Sequence, residues 1–377
     1  MANGDHRRPP LQPARRAHIL AELDRVGTIR VSQLIDDLGV TPVTVRRDLA
    51  QLEEEGVLVR VHGGAVRHEG SIVNRSAVAR GKHGEPPPLD PSAPAIAVLV
   101  PSLTYYWPTV ARGMEQAAHQ AGYRILLRGA SYELQDERPL IKRLVQSEGV
   151  RGLIVAPNTS TPYAQDVIQR LSDCGVPSVL VERDGSVLPD RTPFESVTSD
   201  HAFGTLLAAR HFAALGHKNV GLVLQRDSPT ARKIAAGWQA ACRELGLTPT
   251  QHFEQLVAGP SDPDYSESVS GALDRAIATG TTAILAHPDP DAMALVDLAM
   301  SRGISVPGDL SVIAYDDEVA NLFSPALTAV SPKREAVGAA AVDLLLKRIA
   351  DPARPIHRIS LSPSLVLRES TSAPRGA

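Results

Sequence analysis

Between residues 14 and 55 apolar side chains recur at helical spacing in three short runs, and from 57 to 68 they alternate. In residues 14–26, Ile19, Leu20, Leu23 and Val26 share one stripe, which predicts an amphipathic helix packed inward. After an extended piece at 28–30, Leu34, Ile35 and Leu38 supply the face of a second helix, with Ser32 its expected N-cap and Gly39 its stop. A third helix is expected over 42–55. Thr41 caps it, Pro42 stands where no amide hydrogen is needed, and Gly56 ends it. Val45, Leu49 and Leu52 share its buried stripe, which turns Val43 and Arg47 outward with Thr44 and Arg46 flanking them. Val57, Val59 and Val61 then alternate with Leu58, Arg60 and His62 ahead of Gly63-Gly64, a two-glycine hairpin signal.

Periodicity stops over residues 69–94, where GEPPPLDPSAP reads as an extended, semi-rigid linker, since proline fixes φ and removes donors. Arg75, Arg80 and Lys82 on it are assigned to solvent, with contact to DNA phosphates the alternative. Residues 1–13 and 370–377 are expected to be disordered tails. From residue 95 the rhythm becomes short, nearly continuous apolar runs such as AIAVLV, RILLR, GLIVA and PSVLV, separated by helical stretches near 110–121 and 164–171. A second set of runs at 219–224, 283–286 and 311–314 alternates with helices near 201–215, 230–245, 292–302 and 334–349. Strands buried on both faces with helices between them define a doubly wound parallel sheet, and two such sets define two lobes. The fold class is therefore α/β, with three helices and a wing in front of a two-lobed domain. Ligands of open parallel sheets sit beyond the carboxyl ends of the strands, so two facing lobes make a cleft able to close on a small molecule.

Charge changes the picture only when the chain is divided. The net formal charge is −3. Residues 1–83 hold 13 Lys and Arg against 10 Asp and Glu, while the remainder holds 26 against 32. The small N-terminal excess suits a site-specific DNA reader and excludes a strongly basic coat protein. Cys174 and Cys242 imply no disulfide framework and read as small buried residues. No apolar leader and no long apolar run is present, which points to the cytoplasm and away from the membrane.

The three helices and hairpin are the plan of a winged helix-turn-helix. Arg47 is assigned to a base edge, Arg46 and Thr44 to phosphates, and Arg60 and His62 of the wing to the backbone. The run VSQLIDDLGVTPVTVRRDLAQLEEEGVLVRVHGGAV resembles the N-terminal domain of DeoR-type bacterial repressors, which carry a "TxRRDL" recognition helix and "hGGa" in the wing. The resemblance covers residues 15–68 and implies DNA contacts from Ser32, Thr41, Val43, Thr44, Arg46, Arg47, Arg60 and His62.

Residues 95–369 resemble the periplasmic-binding-protein-like sensor domain of LacI/GalR-type repressors through VLVPSLTYYWPTVARGMEQAAHQAGYRILL, VPSVLVERD, HFAALGHKNVGLV, ARKIAAGWQAA, ILAHPDPDAMAL and GISVPGDLSVIAYDDEVANLFSPALTAV. This implies lobe 1 over about 95–199 plus C-terminal strands and lobe 2 over about 200–327. Crossings between them are expected near Ser199, at 324–328 and in the last strands, and the core is expected to form a homodimer. It also implies aromatic walls from Tyr105, Tyr106 and Trp107, an acidic–basic pair in Glu182 and Arg183, and further ligand groups in Asp289 and Asp316, to which Arg232 and His287 are added as candidates that depart from the family's pattern. For Asp289 and Asp317 an N-cap or an inter-lobe salt bridge accounts for the carboxylate as well as a ligand does. The family's arginine, asparagine and glutamine positions are here Ile234, Pro288 and Pro332, which cannot donate. A typical monosaccharide is served only if Arg232, His287 or Arg128 compensates, because an unpaired buried hydroxyl costs about 1–3 kcal/mol.

No glycine-rich phosphate loop, nucleophile elbow or HExxH pair is present, and His287, Asp289 and Asp291 lack matched metal ligands elsewhere. No catalytic residue, metal or cofactor is expected. The expected function is a transcriptional regulator, a repressor in the first instance, whose operator affinity is set by a sugar-like effector. The alternatives are an activator or corepressor-dependent regulator of the same plan, or a small-molecule-binding transport protein.

Overall fold

A computed structural model describes residues 12–26, 28–38, 40, 44, 45, 48, 49, 52, 58–61, 64–67, 89–130, 136–247 and 252–375. Residue contacts divide the chain into two units, 1–85 and 86–377.

In the first unit the helical stripes of the sequence become one core. Helix α1 (Gln12–Val26) presents Ile19 and Leu23, and α2 (Val31–Leu38) presents Leu34 and Leu38, all nearly inaccessible to solvent. Residues 44, 45, 48, 49 and 52 are helical, and Val45, Leu49 and Leu52 close the core. Strands β1 (Thr28–Arg30), β2 (Leu58–Val61) and β3 (Gly64–Arg67) form an antiparallel sheet in the order β1-β3-β2, with Leu58 and Ala65 facing inward. Because α2 already begins at Val31, Ser32 lies inside its first turn and is not its N-cap. Asp48, buried, accepts Nε and Nη2 of Arg15 at 2.7 and 3.0 Å. This fork of charge-assisted bonds ties the RRDL segment to α1.

In the second unit lobe 1 is built on β4 (Ala95–Val100), β5 (Arg124–Gly129), β6 (Val150–Val155), β7 (Ser178–Val181) and β10 (Ser196–Ser199). A small ribbon of β8 (Ser186–Val187) and β9 (Thr192–Pro193) stands apart from this sheet. Lobe 2 is built on β11 (Val220–Gln225), β12 (His252–Val257), β13 (Ala283–His287), β14 (Ser311–Tyr315) and β15 (Thr328–Ser331). Strand β16 (Arg358–Leu361) then returns to lobe 1 and β17 (Ser364–Val366) to lobe 2. The sheet orders are β16-β10-β7-β6-β4-β5 and β12-β11-β13-β14-β15-β17, parallel except for β17. Central strands such as β4 and β13 are buried along their whole length, as double-sided cover by helices requires.

The chain crosses between lobes at Asp200, at Pro332–Lys333 and at Ser362–Pro363. The second crossing corrects the expectation of 324–328. Thr328 pairs with Ile313, so the chain stays in the lobe-2 sheet through Ser331, and only the helix Arg334–Ala350 joins lobe 1. That helix packs against the helix Trp107–Gln120 at Gly113 and Gly338, where backbones nearly touch. The carboxyl end also differs from a disordered tail. Ser370 is fully buried, its Oγ donates to the Val312 carbonyl at 2.6 Å, and Ser372 bonds to Ser311.

Candidate ligand-binding cleft

The carboxyl ends of the strands of both lobes converge on one cavity of about 1120 Å³. From lobe 1 come the loop after β4 with Tyr105, Tyr106 and Trp107, the loop after β6 with residues 158–161, and Glu182 and Arg183 after β7. Lobe 2 supplies Gln225 at the end of β11 and residues 226–232 after it, Gln255 of β12, His287 at the end of β13 and Pro288 after it, and Asp316 after β14. Strand ends and the loops after them make most of the lining, as an open parallel sheet dictates, and edge strand β12 adds Glu254, Gln255 and Leu256.

The deep end is a hydrogen-bonded polar floor. Glu182 accepts the Tyr106 hydroxyl at 2.6 Å and the Ser199 amide and hydroxyl at 2.9 and 2.7 Å. Burial and the Glu182 carboxylate push the Tyr106 phenol upward, so it stays a donor. Arg183 is buried, gives Nε to the Pro157 carbonyl at 3.2 Å and Nη1 to the Glu182 carbonyl at 2.8 Å, and lies 5.7 Å from the Trp107 ring centroid. Across the cleft the Tyr105 hydroxyl meets Asp316 Oδ2 at 3.3 Å and accepts the Asp289 amide at 3.2 Å. Burial, reinforced by Asp289, holds the Asp316 carboxyl well above the usual range.

Two imidazoles complete the floor. Burial lowers His201 to about 4 and His287 to about 3. Both are therefore neutral near pH 7, and their approaches to Glu182 at 3.8 Å and Asp316 at 3.6 Å are polar contacts, not ion pairs. His201 Nδ1 bonds the Tyr315 hydroxyl at 2.9 Å. His287 Nδ1 is buried with no hydrogen-bond partner among the described residues.

Of the expected ligand groups, Tyr105, Tyr106, Trp107, Glu182, Arg183, Arg232, His287 and Asp316 line this cavity. Asp289 does not. Its fully buried carboxylate accepts the amides of Asp317, Glu318, Val319 and Ala320 at 3.1, 2.7, 2.9 and 3.2 Å, which fixes the loop after β14. Asp317 is committed to Arg368 at 2.7 Å. Ile234 sits in the lobe-2 core, whereas Arg232 is exposed on the cavity wall. Arg128 lies on edge strand β5, outside the lining, and compensates nothing. The sequence reading missed the 158–161 and 225–230 walls, whose signal is their place after strand ends. It also missed Arg334, whose guanidinium leaves lobe 1 to hold the carbonyls of Asp316 and Asp317.

In the N-terminal unit, Thr41, Val43, Arg46, Arg47 and His62 lie outside the described residues, as do the side chains of Ser32 and Arg60. Thr44 is helical and half-buried. Among the described residues no His, Cys, Asp and Glu group could hold a metal, and no helix is long and apolar enough to cross a membrane.

A helix-turn-helix unit followed by a two-lobed binding unit defines a class, the ligand-controlled transcriptional regulators. Residues 15–70 match the DeoR-like helix-turn-helix domain and residues 209–371 the periplasmic binding protein-like domain. An HTH-type transcriptional regulator in the aml 5′ region of Streptomyces limosus is 33% identical over 293 residues, covering 74% of this chain and 80% of the relative. The HTH-type transcriptional regulator MalR of Streptomyces coelicolor is 31% identical over 288 residues, covering 74% and 81%. A crystal structure of a LacI family regulator from Enterococcus faecium with bound ribose superposes with a TM-score of 0.61 at 23% identity, covering 74% of this chain and 99% of that one. The chain belongs to the family of HTH-type transcriptional regulators that includes MalR of Streptomyces coelicolor.

Proposed function

We propose that the protein is a repressor that binds its operator as a homodimer, acts in the cytoplasm, and is released or engaged by a polyhydroxylated, sugar-like effector held between the lobes. Residues 14–68 act as a DeoR-type winged DNA-binding domain, 69–94 as linker and 95–369 as the effector domain. The observation that carries this reading is that Arg183 of lobe 1 and Asp316 of lobe 2 face one cavity from opposite walls. A ligand bridging them gains affinity only when the lobes are together, so its binding shifts the population of one closure and, by linkage, operator affinity. The aromatic side chains at the cavity wall suit the apolar face of a sugar ring. Ribose in the Enterococcus faecium structure belongs to that protein, and it supports the sugar class here only through the shared fold.

Genomic footprinting yields the operator, and titration of labelled operator with sugars that the products of neighbouring genes act on yields the effector. Arg183→Ala and Asp316→Ala are each expected to abolish the effector response, and Arg183→Ala to leave unliganded operator binding within a few-fold of wild type. A normal response in both variants removes the cleft as the effector site. For the recognition helix, Arg47→Ala is expected to relax preference at one base position by about 1–3 kcal/mol. Arg46→Ala is expected to weaken all sequences alike and to lower the salt slope by about one. Equal loss of specificity from both variants refutes that assignment.

A further inference from the structure

Tyr105 belongs to lobe 1 by its place after β4, yet its hydroxyl is spent entirely on lobe 2. It donates toward Asp316 Oδ2 at 3.3 Å and accepts from the Asp289 amide at 3.2 Å. That amide is the first of the helix Asp289–Ser301, one of the donors that a helix leaves without an internal partner. An acceptor and a donor set side by side in this way form the pair that a hydroxyl group satisfies at once, and here the hydroxyl is the chain's own.

The backbone is held out of its ordinary range to deliver it. Tyr105 and its neighbour Tyr106 both have positive φ, 45° and 36°, a region that bulky L-residues avoid. Tyr106 is anchored within lobe 1 by its hydroxyl on Glu182, and the Arg334 guanidinium lies 5.8 Å from its ring centroid. The strain therefore lies between a fixed residue and one that reaches across the cleft. A tyrosine at 105 that only walled the cavity could do so from relaxed backbone.

We infer that Tyr105 is a strap between the lobes: its phenol occupies the polar anchor formed by Asp316 and the Asp289 amide, and a ligand hydroxyl bound at that end has to displace it. The inference rests on the cleft being the effector site and adds how that site is regulated. The ligand then competes with a group built into the protein, so it selects among sugars by which hydroxyl can replace the phenol. A second tie, Lys233 Nζ to Asp184 Oδ2 at 2.6 Å, also joins the lobes, so loss of the strap shifts the mouth without separating the lobes.

The test uses the full chain with Cys174→Ser, Cys242 being buried, and spin labels at Thr159→Cys and Leu256→Cys on opposite walls of the mouth. Tyr105→Phe keeps the ring and removes the hydroxyl. It is expected to lengthen and broaden the label-to-label distance distribution with no sugar added, and Asp316→Ala is expected to do the same. Combining Tyr105→Phe with Asp316→Ala is expected to open the mouth no further than Tyr105→Phe alone, since loss of the hydroxyl already removes its bond to Asp316 along with that to the Asp289 amide. An unchanged distribution in Tyr105→Phe, or an additive shift in the double variant, overturns the strap. Because no ligand enters the measurement, a cleft that binds no sugar would sink the sugar reading and leave this result standing.

Discussion

Single residues in this protein show how a buried carboxylate is kept. Asp289 offsets its burial with four backbone amides, and its acidity is still pushed to about 6. Asp289→Ala would leave those amides without an acceptor inside the loop after β14, and the expected loss is about 3 kcal/mol or more, read as a lower denaturant midpoint. Asp291, two residues on, has one partner, the Tyr265 hydroxyl at 3.0 Å, and burial pushes its carboxyl up to about 7. Ordinary aspartates ionise near 3.9. The folded chain thus holds an extra proton between about pH 4 and 7, so this residue's contribution to stability falls as pH rises through that window and is lowest above it. The amino end of the helix Asp289–Ser301 favours the ionised form and trims the effect. Asp291→Asn is expected to raise the melting midpoint at pH 8, by about 1–3 kcal/mol of stability, and to change little at pH 4. Equal gains at both pH values contradict this. Asp289 and Asp316 look alike in the sequence, each an aspartate closely following a strand. Which of them faces the cleft depends on where four amides of a distant loop fall, and no spacing rule encodes that.

Elements with a single clear period were legible, and those with a compromised period were not. The buried runs of β4, β6, β7 and β13 announce themselves because both faces are covered. Edge strand β12 alternates between buried and exposed positions over only six residues, and the helix Tyr265–Ala278 opens with serines and a glutamate, so neither stood out. The second crossing was misjudged because β15 is four residues long and follows an irregular segment. The contact between the helices Trp107–Gln120 and Arg334–Ala350 was invisible for a different reason. Its glycines serve a tertiary approach, with a Cβ on Gly113 falling 2.0 Å from the Glu335 carbonyl oxygen and one on Gly338 2.1 Å from that of Val110. In an isolated helix Gly→Ala gains about 1 kcal/mol. Here the obstructing atoms are backbone and cannot rotate away, so Gly113→Ala and Gly338→Ala are each expected to lower stability by about 1–3 kcal/mol. Urea unfolding of the full chain gives the sign directly.

For the molecule as a whole, the division at residues 85 and 86 predicts that the second unit is self-sufficient. A fragment of residues 86–377 is expected to unfold cooperatively, to associate as a dimer in sedimentation, and to bind no operator. A monomeric or aggregated fragment at micromolar concentration contradicts this. Within that unit, the three crossings carry a consequence for how the protein is made. Strand β10 takes its outer neighbour from β16, which lies beyond all of β11 to β15 in the chain. β17 covers β15 only after that. A ribosome therefore releases two unfinished sheets, each with a bare edge, and a bare edge is a template for pairing with another chain. Among the described residues the N-terminal unit meanwhile has its last strand by residue 67. A chain stopped at residue 357 carries a complete N-terminal sheet beside two unpaired edges, and it is expected to pellet where one stopped at 375 stays in solution. The period during synthesis between the emergence of β10 and of β17 is when this protein most needs a chaperone.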